Sequence, residues 1–282
     1  MPEPPPGSDL ATPVARPWRD LGLTIVGPLT QAWRGADRPA FVALTAYLLL
    51  FLWGRHGELE LLRPLGWGGL GSADDPARAV IIAGLGWDQE LITFVVGALL
   101  LVILPVLLLR WRYGARPVEL GLGWVPREHA GFAWRATLAL AVLAVPAMIV
   151  AASDPGMRAV YPFYRQFGSA PSFIAYELAY ALFFVVIEFA FRGYLLFGLA
   201  ESSPRTPATP GRPGLGHAAI FVSALAYTIW HHGKPMAELG GTLLWGVVTG
   251  AMILRMRSIW PVVLVHWGMN VLLDALIWSS LP

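Results

Sequence analysis

The sequence predicts an all-α fold, a polytopic transmembrane helical bundle of about seven to eight spans, and three observations predict it. Of 282 residues, 56% are hydrophobic and only 13% are charged, about half the ~25% charge of a soluble domain. The mean hydropathy is +0.58. The apolar residues gather into runs long enough to cross about 30 Å of hydrocarbon, and the polar stretches between them are too short to build a soluble core.

In chain order, the opening MPEPPPGSDLATP has neither the basic start nor the apolar stretch of a signal peptide, so residues 1–38 read as a tail, largely disordered or interfacial. Spans are expected at 39–54, 89–109, 130–152, 172–198, 216–231, 238–254 and 259–280. The first and fifth are short for a crossing and suit a tilted or re-entrant helix. Ala77–Trp87 is apolar but too short to cross alone, and reads as interfacial, packed under a loop, or part of an eighth helix. Pro204–Gly216 reads as a flexible linker, and Trp111, Trp124, Trp260 and Trp278 suit the interfacial belt. Residues 39–170 form an N-terminal set of membrane helices without a diagnostic motif.

Charge and cysteine content narrow the function classes. A net charge of +2 offers no basic face for nucleic acid, and the absence of cysteine excludes disulfides, thiolate metal sites and cysteine nucleophiles. Loop Arg and Lys residues divide 12 to 6 between alternate compartments, which places the N-terminus in the cytoplasm. Arg outnumbers Lys 19 to 1, as in a GC-rich bacterial genome, so the expected location is a bacterial cytoplasmic (inner) membrane. There is no internal repeat of the kind that secondary transporters carry.

The informative residues break the apolar rule inside spans, where a charge costs about 3 kcal/mol or more. Glu188 and Arg192 lie four apart on one helix face, in the order that favours an ion pair, and suit either a structural salt bridge or a catalytic carboxylate. Tyr227 and His231 share a face at the end of the fifth span, where Gly233-Lys234-Pro235 stops the helix, whereas His232 points about 100° away. His266 and Asn270 form a further i,i+4 pair with Asp274 one turn on, readable as interhelical glue or as part of a site. Gly246 and Gly250 make a small-xxx-small face for close helix approach. The convergence of these segments would create a polar pocket inside the membrane.

In their order, these motifs resemble the CPBP family of intramembrane proteases, which includes the Rce1-type CAAX endopeptidases and the Abi proteins. The family pattern of Glu-Glu-xxx-Arg, Phe-xxx-His and His-xxx-Asn is met by Ile187-Glu188-xxx-Arg192, Tyr227-xxx-His231 and His266-xxx-Asn270, all within 172–275. The resemblance marks 171–282 as a CPBP-like core. It implies hydrolysis of a peptide bond in a membrane-associated protein or peptide, with the bilayer as its setting. A glutamate and the first histidine would activate water, and His266 with Asn270 would stabilise the oxyanion. On this reading Glu188 is the base, His231 its partner, and Arg192 and Tyr227 are supporting residues. No cofactor is required in the favoured scheme, although two imidazoles and a carboxylate also suit zinc.

One departure bears on activity: Ile187 stands where the family has its first glutamate. Either Glu188 then faces the water itself, or Glu177 or Glu238 supplies the base, or the chain keeps the scaffold without peptidase activity as a peptide-binding, scaffold or immunity protein. A transporter or proton pathway would also account for buried Glu, His and Arg.

Overall fold

The computed structural model describes residues 27, 30, 33, 35–54, 88–200 and 214–280. It comprises a first unit, Met1–Asp37, of which only a few positions are described, and a second unit, Arg38–Pro282, which holds every element discussed below. The Pro-rich opening, the Ala77–Trp87 stretch and most of the Pro204–Gly216 linker lie outside the described residues.

The described elements are helical. Helix α1 is Arg38–Gly54; α2 runs Asp88–Ala98, passes through a π-helical segment Leu99–Ile103 and continues as Leu104–Tyr113; α3 is Arg127–Ala151 and α4 the short Pro155–Val160. Helix α5 runs Ala170–Glu188, becomes π-helical over Phe189–Leu196 and ends with Phe197–Ala200; α6 is Ala219–Trp230, α7 Met236–Met256 and α8 Trp260–Trp278. Among the described residues, five helices are long and apolar enough to cross a membrane: Glu90–Tyr113, Arg127–Ala151, Ala170–Ala200, Met236–Met256 and Trp260–Trp278. Arg38–Gly54 and Gly216–Trp230 are apolar but shorter. These are the first and fifth expected spans: the 17 residues of α1 reach only ~26 Å at 1.5 Å per residue.

Local chemistry sets several boundaries. Asp154 caps α4 by accepting a hydrogen bond from the Met157 N–H at 2.9 Å, and Pro155 follows at the first helical position, where its missing N–H costs nothing. Ser169 caps α5 in the same way. Helix α8 begins with Trp260-Pro261 after a loop that is clamped to the α2–α3 connection. Ser258 Oγ donates to the Gly123 carbonyl at 2.7 Å, the Ile259 N–H to Gly121 at 3.0 Å, and the Trp260 indole to Leu122 at 3.0 Å.

Helix α5 is the centre of the bundle, packed by α1, α2, α6 and α8, and it is apolar on every side, as a helix without a solvent face should be. Helix α3 lies at the edge, against α7 and α8, and exposes Leu138, Val142, Leu143 and Val150. In water such a surface would invite association; against hydrocarbon it is the expected exterior. Cross-contacts show which helix ends lie together. Trp53 stacks on Trp230 and donates to the Thr93 carbonyl, Arg158 donates to Ser280 Oγ, and Lys234 to the Tyr161 hydroxyl, so one end holds the 152–169 connection, the 231–235 turn and the end of α8. The other end gathers the 114–126 connection, the 257–259 loop, Arg38 and the Leu199–Leu215 contact. Successive apolar helices therefore alternate in direction.

Candidate active site

Helix α5 carries Glu188 at the point where it turns π-helical, and Arg192 and the rest of that segment are buried. π-Helical turns are uncommon and occur frequently at functional sites. The altered backbone leaves the Phe191 carbonyl to accept a hydrogen bond from Ser223 Oγ at 2.7 Å, which ties α6 to α5 beside the polar residues.

Glu188 is completely buried, and its two oxygens have different neighbours. Oε1 accepts from His266 Nδ1 at 2.6 Å and from the Trp245 indole at 3.2 Å, while Oε2 faces Arg192 Nε at 3.5 Å. Arg192, also completely buried, lays its guanidinium over the Tyr227 ring at 4.0 Å, a cation–π contact strengthened by the dry surroundings. A carboxylate can only accept, so His266 Nδ1 bears the proton and Nε2 points on toward the Tyr227 hydroxyl, 3.5 Å away.

His231 follows the last residue of α6 and is 7% exposed, whereas its neighbour His232 is exposed. Its Nδ1 donates to the Tyr227 carbonyl at 2.8 Å, which leaves Nε2 as the open ring nitrogen. That nitrogen lies 3.6 Å from Glu238 Oε1. Burial lowers the His231 pKa to about 4 against the opposing effect of its hydrogen bond to Tyr227, so the ring is neutral at pH 7. The Tyr161 hydroxyl donates to Glu238 Oε1 at 2.9 Å, and Lys234 Nζ donates to the same hydroxyl at 3.3 Å. Burial and then the Glu238 charge push Tyr161 well above the usual phenol range, so it remains a donor.

A third group lies one turn further along α8. Asn270 donates to Asp274 Oδ2 at 2.9 Å, and Glu177 of α5 is buried beside this pair, with the Trp267 indole donating to its backbone carbonyl at 2.8 Å. Asn270, Asp274 and Glu177 are all buried.

The sequence-derived residues are therefore arranged in three linked groups rather than around one point. Glu188 pairs with His266, not with His231 as expected, because α8 packs on α5 and brings the imidazole onto the carboxylate. His231 meets Glu238, one of the two alternative bases, across the turn between α6 and α7. Glu177, the other, lies with Asn270 and Asp274. Tyr227 joins the first two groups: its hydroxyl faces His266 and its ring packs edge-on to His231 at 4.4 Å. Trp245 and Tyr161 stand outside the motifs picked out in the sequence, where Lys234 figures only in the stop of α6. Trp245 precedes Gly246 of the small-residue face, a place that hints at the interior, while Tyr161 lies outside every motif and is brought in by the α4 connection. Among the described residues no three His, Asp or Glu side chains are arranged to hold a metal ion.

No curated protein and no solved structure matches the chain. Residues 169–272, which hold His231, His266, Glu188, Arg192, Glu238 and Asn270, match the family model described as type II CAAX prenyl endopeptidase Rce1-like, so this core is similar to the CAAX-type intramembrane proteases that the motifs resemble.

Proposed function

We propose that this protein is an integral-membrane endopeptidase that hydrolyses a peptide bond of a membrane-associated protein or peptide with water activated by a histidine and a glutamate. The single observation that carries the reading is the pair of oppositely employed imidazoles flanking Tyr227, in the segment that matches the family. His231 is neutral, with Nε2 open to take a proton from water; His266 is held by a buried carboxylate.

Each residue then has a task. His231 Nε2 accepts the water's proton, and Tyr227 fixes the ring through its carbonyl. Glu188 orients His266 and balances the positive charge that its imidazolium form would carry, so that an Nε2–H donor can face the developing oxyanion. Arg192 neutralises Glu188, since a carboxylate without a counter-charge is costly in hydrocarbon. Glu188 thus serves as the partner of His266 rather than as the base. Asn270, engaged by Asp274, supplies further amide N–H capacity one turn away. By the positive-inside rule the Arg-rich end, with Arg110, Arg112, Arg116, Arg255 and Arg257, faces the cytoplasm, which puts His231 toward the opposite surface of a bacterial inner membrane with seven apolar helices traversing it.

The test is cleavage by the full chain in liposomes of a fluorogenic peptide library anchored by an acyl or farnesyl chain. Turnover by the wild type, and its loss on His231→Ala and His266→Ala in folded protein, supports the reading. The second reading, a peptide-binding member without catalysis, is favoured by Ile187 in place of the first motif glutamate; peptide retention without cleavage would select it.

A further inference from the structure

The endopeptidase reading leaves open which carboxylate serves His231, because position 187 holds a buried isoleucine and Glu188 is paired with His266 and Arg192 instead. Glu238 is the acid whose geometry fits. It occupies the first turn of α7, where the helix dipole favours a negative charge. One of its oxygens is fixed: Oε1 accepts from Tyr161, which is backed by Lys234. The other, Oε2, is buried and has no hydrogen-bond partner among the described residues. The open nitrogen of His231 lies 3.6 Å from Oε1, the oxygen that Tyr161 fixes, so the carboxylate is held in place beside the imidazole. That separation is too long for a direct hydrogen bond, but a water at about 2.8 Å from both atoms would bridge them.

We propose that Glu238 is the catalytic carboxylate of the water-activating pair, supplied from α7 in place of the glutamate that α5 lacks at position 187. Glu238 and His231 hold one water between them. An O–H bond of the water breaks and its proton passes to His231 Nε2, with the Glu238 carboxylate stabilising the imidazolium. The water oxygen adds to the scissile carbonyl carbon, and the carbonyl π pair moves onto oxygen as the oxyanion facing His266. The oxyanion re-forms the carbonyl as the C–N bond breaks. The proton on His231 is delivered to the departing nitrogen, giving a carboxylic acid and an amine. Tyr161 and Lys234 are positioning residues: they fix the Glu238 rotamer.

This inference rests on the endopeptidase reading, and one experiment separates the two. The full chain in liposomes is assayed on the anchored fluorogenic library as wild type, Glu238→Gln and Glu238→Asp, with folding checked by size-exclusion profile and thermal melt. Gln preserves the side-chain size and an oxygen for Tyr161, so the expected result is a folded protein whose kcat is lower by about 10²-fold or more, with Asp intermediate. A folded Glu238→Gln variant within threefold of wild-type turnover overturns the inference while leaving the endopeptidase reading intact. Should Gln not fold, Glu238→Asp carries the test: a tenfold loss of kcat at unchanged KM supports the assignment, and undiminished kcat overturns it. A wild type that cleaves no member of the library overturns the reading and this inference with it.

Discussion

Arg192 and Glu188 show what a buried ion pair demands of its surroundings. Neither is exposed, and in return for its lost hydration Arg192 gains the 3.5 Å approach of Glu188 and the ring faces of Tyr227 and Phe191. Removing one partner strands the other charge, so Glu188→Gln is expected to destabilise the fold by about 3–5 kcal/mol. Glu188→Gln with Arg192→Met removes both charges and should recover most of that loss in a denaturation assay without restoring cleavage, because His266 would still lack its carboxylate. His231 gives a pH signature. Its folded pKa of about 4 lies below the 6.5 of a free imidazole, so the unfolded chain binds the extra proton first. The stability contributed by this residue is therefore complete above pH 6.5 and declines as pH falls toward 4. Turnover that depends on the neutral ring should show an acidic limb near pH 4 in a kcat/KM profile; a limb near 6.5 would mean that His231 is not the proton acceptor.

At the scale of elements, two glycines govern how α6 and α7 deliver their polar residues. Gly233 adopts φ +90° in the turn that brings Glu238 back to His231, a conformation that costs a residue with a Cβ about 1–2 kcal/mol. Gly246 lies against Ala224, so close that an added Cβ would stand 2.8 Å from its Cα. The small-residue face foreseen from Gly246 and Gly250 is thus the α6–α7 contact, with Ile220 beneath Gly250. Gly246→Ala must push the helices apart and is expected to cost about 1–3 kcal/mol in a thermal or denaturant melt. It should also lower kcat, since Trp245, the donor to Glu188, moves with the same turn.

For the whole molecule, the alternating helices place basic residues unevenly: the end with the 114–126 and 257–259 connections is Arg-rich, and the end with the 231–235 turn is not. Because the chain has no cysteine, single introduced thiols report sidedness cleanly. Val118→Cys should resist a membrane-impermeant maleimide in intact cells, whereas Ser153→Cys, exposed at the opposite end, should react. The reverse pattern would invert the orientation and put His231 on the cytoplasmic side.

The sequence by itself determined the helical membrane architecture, because burial in hydrocarbon demands long apolar runs and satisfied backbone, and both are written in composition and periodicity. It also located the polar residues, since each interrupts an apolar run, and it marked the helix stop at Gly233-Lys234-Pro235. It did not reveal the π-helical segment at Phe189–Leu196, which has no local signature in the apolar run around it. Partner choice was beyond it as well. Spacing along one helix ties Glu188 to Arg192 and His266 to Asn270, but whether Glu188 meets His266 or His231 depends on how α8 and α6 lean against α5. That is settled by side-chain packing between helices distant in sequence, and only the tertiary structure sets His231 beside Glu238 and draws Tyr161 in from outside every motif.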